Sequence, residues 1–176
     1  MTIHIPTWID GTLQPVEKLE AHQRGLKHKA ISVFLLRDGD VLLQRRALGK
    51  YHTPGLWANT CCTHPQWEES ALDCATRRLQ EELGIADVPL SFRDTVEYRA
   101  DVGNGLVEHE VVDIFVGELP KGVEPVMNPD EVMDTIWRPL DGLALEVMRA
   151  PRTFTPWLQI YMRDYAQIIF STEAQI

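Results

Sequence analysis

Glu108 and Glu110 stand two apart in a run that reads as a strand. Both side chains then leave one face, and His109 leaves the other. Two carboxylates on one face repel, so either the face is wet or a cation lies between them. The CCTHP stretch repeats the geometry, because Cys62 and His64 share a face if that segment is extended. His22 and His28 flank the start of another strand. Three histidines and two glutamates make an N3O2 set for a divalent metal such as Mn²⁺ or Zn²⁺, with a position left open. The spacing follows neither a zinc-finger nor an HExxH pattern. What distinguishes the set is the thiol beside it.

A second group of residues is suited to anions. Arg45, Arg46 and Lys50 gather on the edge of a strand and its following loop, with Lys18 upstream. They read either as an oxyanion clamp, with forked Arg and point-charge Lys contacts, or as charges protecting a strand edge. In EESALDCATRRLQEELGI, Arg77/Glu81 and Arg78/Glu82 are spaced i,i+4. Such pairs form surface salt bridges worth about 0.3–0.5 kcal/mol each; alternatively the carboxylates hold Mg²⁺ against phosphate oxygens. Trp57, Trp67, Trp137 and Trp157 suit packing, although an indole face in a dry pocket stabilises a cation by about 2 kcal/mol.

The elements that must position these groups mix helix and strand. Ile3–Ile9 reads as a short strand. His28–Leu36 and Val41–Arg45 read as a hairpin about Asp38-Gly39-Asp40, and Phe92–Asp101 and Leu106–Glu118 as a second about Gly103-Asn104-Gly105. Between them Glu69–Leu83 reads as a helix with Leu72, Ala75, Leu79 and Leu83 on one stripe and Gly84 as its stop. A short strand is expected at Thr135–Arg138. Thr155 and Pro156 open a C-terminal helix to about Phe170. This order suggests an α/β sandwich.

Composition sets the frame. The chain has 176 residues, 44% hydrophobic and 24% charged, which is ordinary for one globular domain spanning 1–176. With 26 acidic and 17 basic residues the net charge is −9, so nucleic acid and anionic membranes are not expected partners. No apolar run approaches the ~20 residues of a membrane span, and MTIHIPTWID does not read as a signal peptide. An odd set of cysteines, Cys61, Cys62 and Cys74, points to a reducing, cytoplasmic setting. Without a coiled coil or long apolar patch, a monomer is expected.

These pieces together resemble the type I isopentenyl diphosphate isomerases of the Nudix-like superfamily. The resemblance rests on EAHQRGLKHKAISVFLL, QRRALGKYHTPGLWANTCCTHPQ, EESALDCATRRLQEELG, EYRADVGNGLVEHEV and TFTPWL, in family order from about Val16 to Trp157. The helix also resembles a Nudix box, GX5EX7REUXEEXGU, aligned on Glu69, Arg77, Glu81, Glu82 and Gly84. Thr63 replaces its first Gly and Arg78 replaces the Glu of REU. Exchanging a metal-holding carboxylate for a cation suits a protein that binds a diphosphate without cleaving it.

The resemblance implies a Nudix-like α/β/α sandwich with a mixed sheet. It implies a metal, Mn²⁺ or Zn²⁺, held by His22, His28, His64, Glu108 and Glu110. Cys62 and Glu110 would be the acid/base pair, with the Tyr98 hydroxyl beside Glu110. Mg²⁺ would lie between the substrate diphosphate and Glu82, near the Cys62 carbonyl. Lys18, Arg46, Lys50 and Arg78 would meet the diphosphate, and Trp157 would cover the isoprenoid carbons. The implied reaction is a reversible 1,3-allylic shift between isopentenyl and dimethylallyl diphosphates. One proton adds to C4, a tertiary cation forms at C3 and another proton leaves C2. A free thiol near pKa ~8.5 is protonated at neutral pH and an ordinary carboxyl is ionised. A metal-polarised carboxyl–Tyr98 pair is the alternative donor, so the roles of Cys62 and Glu110 stay exchangeable. Two other readings share parts of this pattern: a Nudix-type diphosphohydrolase and a Nudix-like binding module without turnover.

Overall fold

The computed structural model describes residues 2–171. Its frame is β3 (Lys27–Arg37), whose apolar run Ala30–Leu35 is buried throughout. A strand covered on both faces has no reason to alternate apolar and polar residues. Along one edge β3 pairs in parallel with β8 (Leu106–Glu118), in register from Lys27↔His109 to Leu36↔Glu118. The other edge is shared by three antiparallel partners. β1 (His4–Ile9) meets it at His28, β6 (Cys61–Thr63) at Ile31–Val33 and β4 (Asp40–Arg46) at its end. β2 (Thr12–Glu17) extends the sheet beyond β1, and β5 (Trp57–Ala58) and β9 (Val132–Pro139) pair with β4. β7 (Leu90–Gly103) completes a hairpin with β8. Parallel and antiparallel pairs therefore coexist in one nine-stranded mixed sheet.

Helices cover both faces. α1 (Lys18–Gln23) is a single short turn region, capped by the Glu17 carboxylate on the Leu19 and Glu20 amides. α2 (Ala71–Leu83) packs Cys74, Ala75, Leu79 and Leu83 on Ile31, Val33 and Leu35. On the opposite face α3 (Leu143–Arg149), α4 (Pro156–Ile160) and α5 (Ala166–Phe170) cover Phe34, Val112 and Ile114 with Val147, Trp157, Leu158 and Ile169. The result is the expected α/β/α sandwich.

Several elements differ from the sequence reading. α2 begins at Ala71, because Ser70 caps it by accepting from the Asp73 amide; Glu69 is outside and instead accepts from the Gln66 amide and Arg77. Leu72 is 48% exposed and lies off the buried stripe, where Cys74 takes its place beside Ala75. β2 was not expected, since it carries Pro15, which an edge strand tolerates because it needs no ladder donor there. The C-terminal helix is interrupted: a π turn at Tyr161–Tyr165 separates α4 from α5, and from it Tyr161 Oη lies 2.9 Å from Ser32 Oγ. Thr155 stands at the cap position of α4, but its hydroxyl makes no capping bond; its amide instead donates to the Trp57 carbonyl.

Candidate active site

The site lies on the face of the sheet that carries Ala30, Phe34, Val112 and Ile114, at the end nearest α1 and the loop after β4. Strand register brings its parts into rows. His28 faces Glu110 across β3–β8, Glu110 faces Tyr98 across β8–β7, and Ser32 faces Cys62 across β3–β6. Alternation keeps Glu108 and Glu110 on the inner side with Val112, and both carboxylates are buried.

Glu110 is bound from three directions. Its Oε1 lies 2.8 Å from His64 Nε2 and 3.6 Å from His28 Nε2, and its Oε2 accepts the Tyr98 hydroxyl at 2.5 Å. Glu108 Oε2 accepts the same hydroxyl at 3.1 Å, and its Oε1 lies 3.2 Å from His52 Nε2. Burial and the neighbouring Glu110 charge push Glu108 well above the ordinary carboxyl range. Burial pushes Glu110 the same way, but the adjacent His28 and His64 rings outweigh it and hold that carboxyl low.

His22 and His28 are prepared as ligands. Their Nδ1 atoms sit 2.6 Å and 2.7 Å from the carbonyls of Lys18 and Leu26. A carbonyl can only accept, so each Nδ1 carries the hydrogen and each Nε2 presents its lone pair. Both Nε2 atoms are buried and have no partner among the described residues, a costly state for an acceptor unless something binds it. Ligand atoms of His22, His28, His64 and Glu110 all lie within 4.8 Å of one another. Burial lowers the His22 pKa to about 4 and holds His64 well below its usual value, which keeps both rings neutral and able to ligate. This donor set fits a divalent ion. Glu108 stands slightly apart, in a second trio with His22 and His52.

Beside these groups is a cavity lined by Cys62, Tyr98, Glu108, Glu110 and Trp157, together with Lys18, Arg46, Lys50, Arg78 and Glu82. Burial holds the Cys62 thiol far above its usual pKa, with Arg46 opposing, so it stays protonated near neutrality. Trp157 is fully enclosed, and the Arg46 guanidinium lies 5.2 Å from its ring centre. Arg78 binds Glu82 at 2.5 Å, Glu81 at 2.9 Å and Glu131 at 3.2 Å; Lys50 also pairs with Glu131. Burial, then the charges of Lys50, Arg78 and Arg46, lower Lys18 to about 8. Four buried or half-buried cations are gathered here, an arrangement suited to an anion.

The site residues implied by the family resemblance lie in one region of the structure. Arg45 does not: its Nε donates to the Gly55 carbonyl at 2.9 Å, away from the cavity. Arg77 grips Glu69 and Glu81 on the outer side of α2. Trp137 stacks under Arg37, remote from the cavity. Three participants were not singled out beforehand. Gln44 donates to Glu82 Oε2 at 2.8 Å, Glu131 pairs with the clamp, and His52 reaches Glu108. Each acts across long sequence separation from an irregular or differently facing segment, so no local spacing marks it.

A NUDIX domain family model matches residues 26–158. The chain is 77% identical over 172 residues to the isopentenyl-diphosphate Delta-isomerase of Jannaschia sp., covering 98% of both chains. It is 63% identical over 166 residues to the protein of that name from Cereibacter sphaeroides, covering 94% of both. Among solved structures it resembles a MutT NUDIX hydrolase from Burkholderia pseudomallei, with a TM-score of 0.61 and 26% identity over 79% of this chain and 98% of that one.

Proposed function

Because the chain belongs to the NUDIX domain family and, within it, to the isopentenyl-diphosphate Delta-isomerases, we propose that its buried cavity is the seat of that allylic shift. The chain interconverts isopentenyl and dimethylallyl diphosphates. The observation that carries the assignment of the cavity is that the Cys62 thiol and the Tyr98-bound Glu110 line one space with Trp157.

The reaction needs one group to give a proton to C4 and another to take one from C2. Cys62 and the Glu110–Tyr98 pair are those groups, and they exchange roles when the reaction reverses. The intermediate cation at C3 is destroyed by water, so exclusion of solvent is as necessary as acid strength. Trp157 and Tyr161, both fully buried, keep that side dry. The Trp157 face offers π density to the cation, worth about 2 kcal/mol in a desolvated setting.

Lys18, Arg46, Lys50 and Arg78 receive the diphosphate. Glu82 and Glu131 pair with Arg78 and Lys50. Arg78 stands where a Nudix hydrolase would have a metal-holding carboxylate and itself occupies Glu82, which supports binding of the diphosphate over its hydrolysis. His22, His28, His64, Glu108 and Glu110 would hold Mn²⁺ or Zn²⁺, and Glu82 with the Cys62 carbonyl would hold Mg²⁺ with the substrate. Such ions supply positive charge that acidifies nearby protons and offsets the phosphate charge. Three free thiols support a reducing cytoplasmic setting, and no described helix is long and apolar enough to cross a membrane. We read residues 1–176 as one domain acting as a monomer.

Incubation with labelled isopentenyl diphosphate tests the reaction. Allylic product without phosphate or pyrophosphate release is expected, and nucleoside diphosphate derivatives should remain intact. Release of phosphate without the allylic product would overturn the reading.

A further inference from the structure

His52 is 3% exposed, although it lies in the loop between β4 and β5 where side chains normally meet water. Its ring is enclosed by aromatic neighbours. Tyr51 packs edge-on at 4.5 Å, Trp157 edge-on at 5.9 Å and His22 stacks at 5.9 Å. Both ring nitrogens are engaged: Nε2 lies 3.2 Å from Glu108 Oε1 and Nδ1 lies 3.1 Å from Thr53 Oγ1.

Thr53 holds φ at +47°. A β-branched residue in that region is strained by about 1–3 kcal/mol, and glycine would relieve it. Glycine has no hydroxyl, however, and the strained backbone sets the Thr53 hydroxyl against the ring. A neutral imidazole has one N–H and one lone pair. The Glu108 oxygen can accept an N–H, and the Thr53 hydroxyl can donate to the remaining lone pair. With Glu108 ionised, as a metal ligand must be, its oxygen can only accept, and the hydrogen bonds then close with the hydrogen on Nε2.

We propose that His52 is a positioning residue that orients the Glu108 carboxylate toward the His/Glu metal centre, in the Nε2–H tautomer that the ionised carboxylate requires and the Thr53 hydroxyl accommodates. The inference rests on the reading of Glu108 as a metal ligand. Glu108 has two oxygens. His52 holds Oε1 from the Trp157 side while Tyr98 holds Oε2, so the carboxylate plane is defined before an ion enters. Partners of this kind, beyond the ligands themselves, typically change metal affinity by about 10–100-fold when removed.

The test uses Mn²⁺ and Zn²⁺ binding to the full-length chain, measured by competition with a chelator, beside His52→Gln and His52→Leu. The Gln amide can replace the Nε2–H donor, whereas Leu fills the volume without donating. His52→Leu should weaken both ions about 10–100-fold, with His52→Gln within about threefold of the unaltered chain. Leu binding as tightly as the unaltered chain overturns the inference. Gln falling as far as Leu also overturns it, since that marks His52 as a ligand. An unaltered chain that takes up neither ion removes the metal reading itself, and this inference with it. A second measurement needs no variant. The imidazole ¹⁵N shifts of the Zn²⁺-loaded chain should show the hydrogen on Nε2 of His52; an Nδ1–H or doubly protonated ring overturns the proposal even if His52→Leu fails to fold.

Discussion

The Tyr98 hydroxyl donates to Glu110 Oε2 at 2.5 Å, from the residue directly opposite it in the β7–β8 register. The same oxygen lies 3.1 Å from Glu108 Oε2, so one hydroxyl joins both carboxylates of the centre. Tyr98→Phe keeps the ring and removes only this junction. Turnover of isopentenyl diphosphate should drop on the order of 10²-fold, as for other single preorganised donors, with the melting temperature little changed. Undiminished turnover would remove Tyr98 from the proton path.

Cys62 and Glu110 are each required if protons are exchanged across the substrate. Cys62→Ala and Glu110→Gln should each reduce kcat by about 10²–10⁴-fold, the usual contribution of a positioned acid or base. Circular dichroism should show the fold retained. If either variant kept most of its turnover, that residue would have no part in the chemistry.

Lys18 sets a limit on the alkaline side. Its pKa is lowered to about 8 by burial first and by Lys50, Arg78 and Arg46 next. Below that value it is an ammonium that attracts diphosphate; above it the charge is lost. The value of kcat/KM should therefore decline as pH rises through about 8 in the free enzyme, mainly through KM. Lys18→Arg, whose charge persists at high pH, should move the decline upward. A profile identical in both proteins would show that Lys18 does not govern binding.

Metal removal should affect both activity and stability. Dialysis against a strong chelator should abolish isomerisation, and Mn²⁺ or Zn²⁺ should restore it. An ion that binds only the folded chain stabilises it by about 2.7 kcal/mol at a concentration one hundred times its Kd. The melting temperature should rise correspondingly on reconstitution. An activity indifferent to chelation would sink the metal centre.

Gly84 ends α2 at φ +63°, and a Cβ there would come within 2.9 Å of Val126 Cβ. Left-handed backbone costs a non-glycine residue about 1–2 kcal/mol before any clash. Gly84→Ala should destabilise the chain by about 2 kcal/mol or more in urea unfolding. Since Asn128 donates to the Glu82 carbonyl just before this turn, the diphosphate KM should rise as well.

Much of this was legible in the residues themselves. Alternation along a strand puts Glu108 with Glu110, and Cys62 with His64, on common faces whatever the strand pairs with, because that period belongs to the backbone. The RRLQEELG run declares a helix and its stop in the same local manner. Periodicity was less reliable where packing chose the face, as when Cys74 rather than Leu72 turned inward. What no local pattern contained was the parallel register of β3 with β8, which sets His28 against Glu110. Nor did any spacing connect His52, in an irregular loop, to Glu108 fifty-six positions later. Those distances follow from how loops close and which apolar surfaces bury one another, and such choices are made by the whole chain at once. The chemistry's ingredients were written in the sequence; their convergence on one cavity was decided only by the tertiary structure.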